Sequence, residues 1–271
     1  MNLLSLNRSD PQPMRPISAS DLLEIWERGI DQAAPERALV ILGALFPSAS
    51  RQALAELTIT QRDVALFQLR ELTFGPRFKS LADCPACHEK LELAFDADDL
   101  RALGIFPPHG FALPDSGENR LPESAQPLRL AGYRIRFRQP TSIDLMKASR
   151  LEDMEQARSL LLAACIVSAT YKGKALAVNE LPAKVTETVI EHIGQAAGRA
   201  NLSIAATCPA CGNGWEIIFD IVSYFWSEIN AWAARIMREV HLLAATYGWR
   251  EADILAMSAW RRQRYLELIG A

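Results

Sequence analysis

The sequence predicts an α+β fold that is mostly helical, and three observations support this prediction. Apolar residues recur at helical spacing over residues 1–76 and again after residue 220. Two short segments, each containing Cys-Pro-Ala-Cys, instead place bulky residues between turn signals, which is typical of β hairpins. Between these two segments, residues 101–200 combine a Pro-rich loop with a hairpin and further helices. We therefore expect helical regions interrupted by small β units.

The composition is that of a globular chain without a strong electrostatic field. The 271 residues, 49% of them hydrophobic, suffice for one large domain or two small ones. There are 29 Lys and Arg residues and 32 Asp and Glu residues, which gives a formal net charge of -3. This charge does not indicate binding to nucleic acid or to an acidic membrane. No segment has the roughly 18 uninterrupted apolar residues of a membrane helix, and no secretory signal begins the sequence. We expect a cytoplasmic protein with reduced cysteines.

The N-terminal region, residues 1–76, is predicted to contain three helices. Ser18 or Ser20 is a suitable N-cap for the first helix. Thr60 precedes the third helix, and Gly75 lies where its C-terminal cap belongs. Residues 77–100 and 201–220 are then predicted to be the two β units.

Residues 101–200 are predicted to form an insertion of mixed structure. Five prolines and three glycines between residues 104 and 127 predict an irregular loop. The alternation in YRIRF predicts a strand that is joined through Gly132 into a hairpin, with its arginines on the outer face. The apolar run over 154–169 and the segment after Pro182 both predict helices.

The C-terminal region, residues 221–271, is predicted to be a helical bundle. One long amphipathic helix ends at Gly248, and two short helices follow it. These short helices carry Trp249, Trp260 and Tyr265, residue types that dominate protein interfaces. We expect this end to dock onto a partner, the alternative being that it only completes the protein's own core. Three nearby arginines are expected to form a solvated helix face; these are Arg261, Arg262 and Arg264.

The strongest signal in the sequence is an internal repeat of the Cys-Pro-Ala-Cys motif. Cys84 and Cys87 recur as Cys208 and Cys211, an offset of 124 residues. The match extends beyond the motif, because Glu92, Phe95 and Asp96 recur as Glu216, Phe219 and Asp220. Each C-x-x-C turn supplies two thiolates, and four thiolates complete the closed coordination sphere of a structural zinc ion. The sequence therefore predicts one zinc ribbon that is split between two hairpins, and a closed site argues against catalysis.

Other uses of the cysteines fit the sequence less well. CPACH matches the attachment signature of c-type haem, but the second motif has Gly212 where His88 stands. A thioredoxin-like pair requires a motif at a helix N-terminus, whereas both motifs here lead into strands. Two unrelated C-x-x-C pairs would leave the repeat unexplained. The fifth cysteine, Cys165, lies in an apolar run and is expected to be a core residue.

No catalytic constellation is apparent in the sequence. His109, His192 and His241 have no partner at ligand or triad spacing, and no Gly-rich phosphate loop is present. We therefore predict that the protein is not an enzyme.

Two segments of the sequence resemble a known family. Residues 62–100, with a helix ending in TFG, a CPAC turn and a strand ending in an acidic D-x-x-D-L, look like the zinc-ribbon baseplate proteins of T-even bacteriophages. Residues 208–268, with YGW, ILAMS and RRxxYLEL in that order, are similar to the C-terminal part of such proteins. Relatives occur in phage tails and in phage-like contractile injection systems. His88 stands where the family usually has glycine.

The resemblance implies a non-enzymatic role in building a contractile-tail baseplate or hub, as a minor component or an assembly factor. The implied partners are other baseplate, hub or tail proteins, and the four paired cysteines are the residues that transfer as zinc ligands. The alternative is a zinc-ribbon adaptor that contacts nucleic acid. Charge disfavours this alternative, because acidic residues outnumber basic ones around both motifs.

Overall fold

The structure is a computed structural model that describes residues 14–102, 113, 125–196 and 202–270. Within these ranges the fold is α+β. The helices are α1 (Ala19–Gly29), α2 (Ala34–Leu45), α3 (Arg51–Ala55), α4 (Ile59–Phe74), α5 (Ala97–Ala102), α6 (Ser142–Ala148), α7 (Met154–Cys165), α8 (Ala183–Ala196), α9 (Ile221–Tyr247), α10 (Glu251–Leu255) and α11 (Ala259–Leu268). The strands are β1 (Arg77–Asp83), β2 (Lys90–Asp96), β3 (Gln126–Leu130), β4 (Tyr133–Phe137), β5 (Ile166–Tyr171), β6 (Lys174–Ala175), β7 (Ser203–Thr207) and β8 (Gly214–Ile218).

Side-chain caps set the limits of the N-terminal helices. The Ser18 hydroxyl accepts a hydrogen bond from the Asp21 N–H at 3.1 Å and begins α1, as predicted. Helix α4 begins two residues earlier than expected, because Thr58 and Gln61 form a capping box and Thr60 lies inside the helix. At the other end, Gly75 adopts φ 94° and its N–H caps α4.

The main hydrophobic core joins α1, α2, α4 and α9 to the first β unit. Its centre consists of fully buried side chains from three helices and from β1, namely Ile41, Leu66, Leu69, Phe78, Phe225 and Ile229. This core therefore brings β1 against the start of α9, where the second β unit ends. Helix α5, which was not expected, continues directly from β2.

The insertion contains a four-stranded antiparallel sheet, of which the sequence indicated only one hairpin. The strand order is β3-β4-β5-β6, and the predicted hairpin through Gly132 forms its first two strands. The apolar run over 154–169 is not one helix, because α7 ends at Cys165 and Ile166 begins β5. β-branched residues such as Ile166 and Val167 favour strands when a neighbouring strand is available, and here β4 supplies it.

A second core lies between this sheet and α8. It contains Leu128, Ile135, Phe137, Ala169, Val185 and Val189. Pro127 lies within β3, although the loop was expected to extend this far; an edge strand tolerates proline because one side of its backbone has no partner. Most of the predicted Pro-rich loop falls outside the described residues.

The C-terminal helices fold back against α9, as a helical bundle requires. Gly248 ends α9 in the left-handed conformation at φ 68°, as the sequence predicted. Arg262 is buried and pairs with Glu239 on α9 at 3.1 Å, so it does not belong to the solvated arginine face that was expected. Within the described ranges, no helix is both long and apolar enough to cross a membrane.

Candidate metal centre

Two hairpins of the same design carry the paired cysteines, and we call them the knuckle hairpins. The first consists of β1 and β2, and the second consists of β7 and β8. In the first turn the Cys84 N–H donates to the Glu89 carbonyl and the His88 N–H donates to the Cys84 carbonyl, both at 2.9 Å. In the second turn Cys208 makes the equivalent two hydrogen bonds with Asn213 and Gly212, also at 2.9 Å.

His88 and Gly212 occupy the same position in the two turns. Both have a positive φ, 61° for His88 and 73° for Gly212. Glycine reaches this conformation without steric cost, whereas histidine does so with some strain. The side chain of His88 is exposed at the turn.

The fold brings all four predicted cysteines to one point. Their sulfur atoms all lie within 4.8 Å of one another. The shortest separations cross between the hairpins, at 3.7 Å for Cys84 and Cys211 and 3.6 Å for Cys87 and Cys208. A tetrahedral zinc site with Zn–S bonds of about 2.3 Å has sulfur atoms about 3.8 Å apart along each edge. The sulfur positions therefore fit one tetrahedral metal ion, with two ligands from each hairpin.

Backbone N–H groups are directed at the sulfur atoms, as in sites that hold thiolates. Desolvation raises the pKa of the Cys84 thiol, but hydrogen bonds from the N–H groups of Cys87 and Ala86 outweigh it and lower the pKa to about 7. The Glu89 N–H favours the Cys87 thiolate, yet its contacts with Cys211 and the other thiols raise its pKa to about 12.

Cys211 behaves like Cys87: the Asn213 N–H favours its thiolate, while burial and the neighbouring Cys208 and Cys84 sulfurs raise its pKa. Repulsion between the four adjacent sulfurs therefore opposes the ionisation of several of these thiols in the absence of a cation. A divalent cation removes this repulsion, because it stabilises every thiolate it contacts. The donor set and its electrostatics both suit a soft metal such as zinc.

An aromatic cluster packs beneath the two hairpins and connects them. Phe78 of β1 stacks on Phe95 of β2, with ring centroids 5.0 Å apart. Phe219, which directly follows β8, packs against Phe95 at 5.2 Å and against Tyr224 of α9 at 4.9 Å. Because Phe95 and Phe219 are equivalent positions of the sequence repeat, the hairpins meet through matching residues. The metal-binding turns are therefore supported by the main core.

Arg70 of α4 fixes the first hairpin to α9. Its guanidinium lies 4.0 Å from the ring centroid of Phe78. It also binds both carboxylate oxygens of Glu228 at 2.6 and 2.7 Å and donates to the Gly75 carbonyl at 2.9 Å. The Arg70 side chain is only 3% exposed. The ion pair with Glu228 could not be predicted from the sequence, because the two residues are 158 positions apart.

The other candidate residues lie outside this cluster. Cys165 is buried, as expected, and burial raises the pKa of its thiol to about 11. His192 contacts the Thr188 carbonyl within its own helix, and His241 is exposed on α9. His109 lies outside the described residues.

The predicted interface residues divide into two groups. Trp249 and Tyr265 pack against each other and against Tyr247, with ring centroids 4.4 to 5.7 Å apart, so they help to complete the protein's own core. Trp260 instead is 70% exposed, and Leu268 on the same helix is 77% exposed.

Charges around the first knuckle hairpin are paired across its strands. Arg77 forms an ion pair with Asp96, Lys79 with Glu92, and Lys90 with Asp83, at N–O distances of 3.8, 3.4 and 2.9 Å. Because these cations already have carboxylate partners, the hairpin offers little free positive charge to a nucleic acid backbone.

Comparison with known proteins matches most of the chain to a family model. A family model described as "T4 bacteriophage base plate protein" matches residues 19–226. The matched region includes both knuckle hairpins and the whole insertion between them, and it ends within α9. No curated protein and no solved structure matches the chain.

Proposed function

The chain belongs to the T4 bacteriophage base plate protein family, and we propose that it acts in the baseplate or hub of a contractile tail as a structural or assembly protein stabilised by one zinc ion. The tail is that of a phage or of a phage-like injection system. The observation that carries the zinc part of this proposal is the meeting of four cysteine sulfurs from two distant hairpins. With all four positions of the ion taken by Cys84, Cys87, Cys208 and Cys211, the site has no open position for a substrate or a catalytic water.

The zinc ion serves as a crosslink between the turns of the two knuckle hairpins. At the other end of the hairpins, where the 101–200 insertion leaves after β2 and α5 and returns before β7, the contact of Phe95 with Phe219 holds the two units together. The proposed organisation therefore has a helical N-terminal region, a split ribbon, the insertion, and C-terminal helices from residue 221 onward. In a large assembly such a crosslink fixes the two hairpins relative to each other. The chain then loses less conformational entropy when it docks onto a partner.

The C-terminal helices supply a docking surface in this proposal. Trp260, Arg264 and Leu268 are spaced four residues apart, so they share one face of α11. Arg264 lies 5.2 Å from the ring centroid of Trp260, and the opposite face of α11 packs on α9 through Leu266 and the buried Arg262. The exposed Trp260 face therefore remains available to a neighbouring tail or baseplate subunit, while Trp249 and Tyr265 support it from within.

A gene deletion tests the proposed function. Cells that lack this protein are expected to produce tails without complete baseplates, seen by electron microscopy of purified particles, and the wild-type gene should restore them. Normal baseplates in its absence would contradict the proposal. The protein is expected in the bacterial cytoplasm during assembly, and in the particle if it is a component.

The same complementation system tests the docking surface. The double variant W260S/L268S removes exposed apolar area but leaves the α9 contacts intact, so its thermal stability should stay close to that of the wild type. It is expected to restore complete baseplates at least about tenfold less efficiently, because exposed aromatic anchors dominate interface energies. The matched control is M154S/L81S, which changes two other exposed apolar residues. Equal restoration by both variants would place the interface elsewhere.

A further inference from the structure

The sheet of the insertion carries arginines on the face that points away from its core. Arg129, Arg134 and Arg136 are all exposed, and they alternate along β3 and β4 with residues of the second core. We call this set the arginine face. Helix α8 covers the other side of the sheet, so the arginine face is the side of these strands that points to solvent.

Two of these arginines lie directly opposite each other. The strand register pairs Arg129 of β3 with Arg134 of β4. Side chains in such positions have Cβ atoms only about 4.5 to 5.5 Å apart, and like charges there destabilise a sheet. Among the described residues, neither Arg129 nor Arg134 has a carboxylate partner. The first knuckle hairpin differs in this respect, because each of its cross-strand cations has a carboxylate within 3.8 Å on the paired strand.

Neighbouring residues of the face add hydrogen-bonding groups. Thr170 of β5 is the partner of Arg134, and Ser168 is the partner of Arg136. The Thr170 hydroxyl donates to the Arg134 carbonyl at 3.4 Å, so the two guanidinium groups and the Ser168 hydroxyl are the donors that this surface of three strands offers. Guanidinium groups bind carboxylates through two parallel hydrogen bonds, which an ammonium group cannot do.

We propose that the arginine face binds an acidic segment of another baseplate protein. The like-charge pair, which has no carboxylate partner among the residues that the structure describes, is the observation that carries this proposal, because a partner's carboxylates would remove the repulsion. The identity of the partner as a baseplate protein rests on the proposed function, whereas the preference for carboxylates does not. This proposal gives the insertion a role as a docking module.

Nucleic acid is a poorer fit to the same surface. Sheets that bind single strands present aromatic rings on which bases stack. In this sheet Tyr133 and Tyr171 pack against each other, with centroids 4.6 Å apart, on the side of Ile135 and not among the arginines. Two or three phosphate contacts on a chain of net charge -3 would also give weak, salt-sensitive binding.

Binding of a labelled polyglutamate peptide, measured by fluorescence anisotropy, tests the chemistry. The double charge reversal R129E/R134E should weaken binding about tenfold or more, because it replaces attraction by repulsion at two sites. The control R51E/R238E makes the same change in net charge at exposed arginines of α3 and α9, and it should weaken binding less than about twofold. Equal weakening by both variants, or tighter binding of single-stranded DNA of matched charge, would overturn the proposal.

The single variant R134E separates a binding role from a structural one. It converts the repelling pair into an opposite-charge pair with Arg129, so the melting temperature should rise by about 1 to 4 °C while peptide binding falls. A fall in both quantities would mean that Arg134 supports the fold and not a partner.

Purified particles distinguish this proposal from the proposed function itself. R129E/R134E should be depleted from particles, or fail to restore baseplates, while R51E/R238E behaves as wild type. Normal behaviour of R129E/R134E overturns the docking role and leaves membership in the baseplate intact. If gene deletion leaves baseplates complete, the proposed function fails, while the peptide titration still decides whether the face binds carboxylates.

Discussion

Serine at Cys84 or Cys208 is expected to abolish zinc binding and to lower the melting temperature by about 10 °C or more, because structural zinc contributes folding free energy directly. Both sulfur-bearing residues are buried, and each variant leaves three thiolates that no longer close the coordination sphere. The two variants should lose zinc and melting temperature to about the same extent, since each removes one ligand of the same site from a different hairpin. Zinc analysis and thermal unfolding by circular dichroism measure the two effects.

The matched control for these variants is C165S. Cys165 is also buried and cysteine-to-serine is the same change, but its sulfur lies outside the metal cluster. It should retain full zinc content and lose at most a few degrees in melting temperature. Suppose that the Cys84 variant has a much lower melting temperature, while the Cys208 variant keeps its zinc and its stability. The knuckle hairpins would then not share an ion.

Replacement of Arg70 by Ala is expected to destabilise the protein by about 2 to 4 kcal/mol, because removing one partner of a buried pair leaves the other uncompensated. Glu228 would lose its bidentate partner, and the Gly75 carbonyl would lose a donor. This expected loss of stability lies at the lower end for buried ion pairs, because the Glu228 side chain remains 26% exposed to water. Chemical denaturation measures this change.

Two further variants identify the cause of that loss. R28A removes an exposed pair with Glu24, whose side chains are 62% and 66% exposed, and should change stability by less than about 0.5 kcal/mol. The double variant R70M/E228M removes both buried charges and should recover much of the loss, because no unpaired carboxylate remains. Should R70M/E228M be less stable than R70A, the stacking of Arg70 on Phe78 outweighs the ion pair.

The sequence was most informative where a local rule sets the structure. Ser18 caps α1 and Gly248 ends α9 because the required conformation and hydrogen bond depend on only a few neighbouring residues. The four cysteines were identified because the repeat encodes the same turn twice. The structure brings their sulfurs together as the repeat suggested.

Features that depend on distant partners were missed. Ile166 lies in an apolar run with no helix-breaking residue, and only pairing with β4 makes it a strand residue. Arg70 and Arg262 are buried and pair with Glu228 and Glu239 of α9, which are distant in sequence, so neither could be distinguished from a surface arginine. The arginines of YRIRF were correctly placed on the outer face of a strand, but the pairing of Arg134 with Arg129 could be known only from the register of β3.

Metal content of the purified protein is the most direct test of the split zinc site. Elemental analysis of wild-type protein, purified without chelators, is expected to find one zinc ion per chain, because the described residues bring together one set of four cysteine sulfurs. Removal of the ion by a chelator should release the two hairpins together and lower the melting temperature by about as much as the Cys84 and Cys208 variants do. Two zinc ions per chain, or none in a folded preparation, would contradict a single shared site.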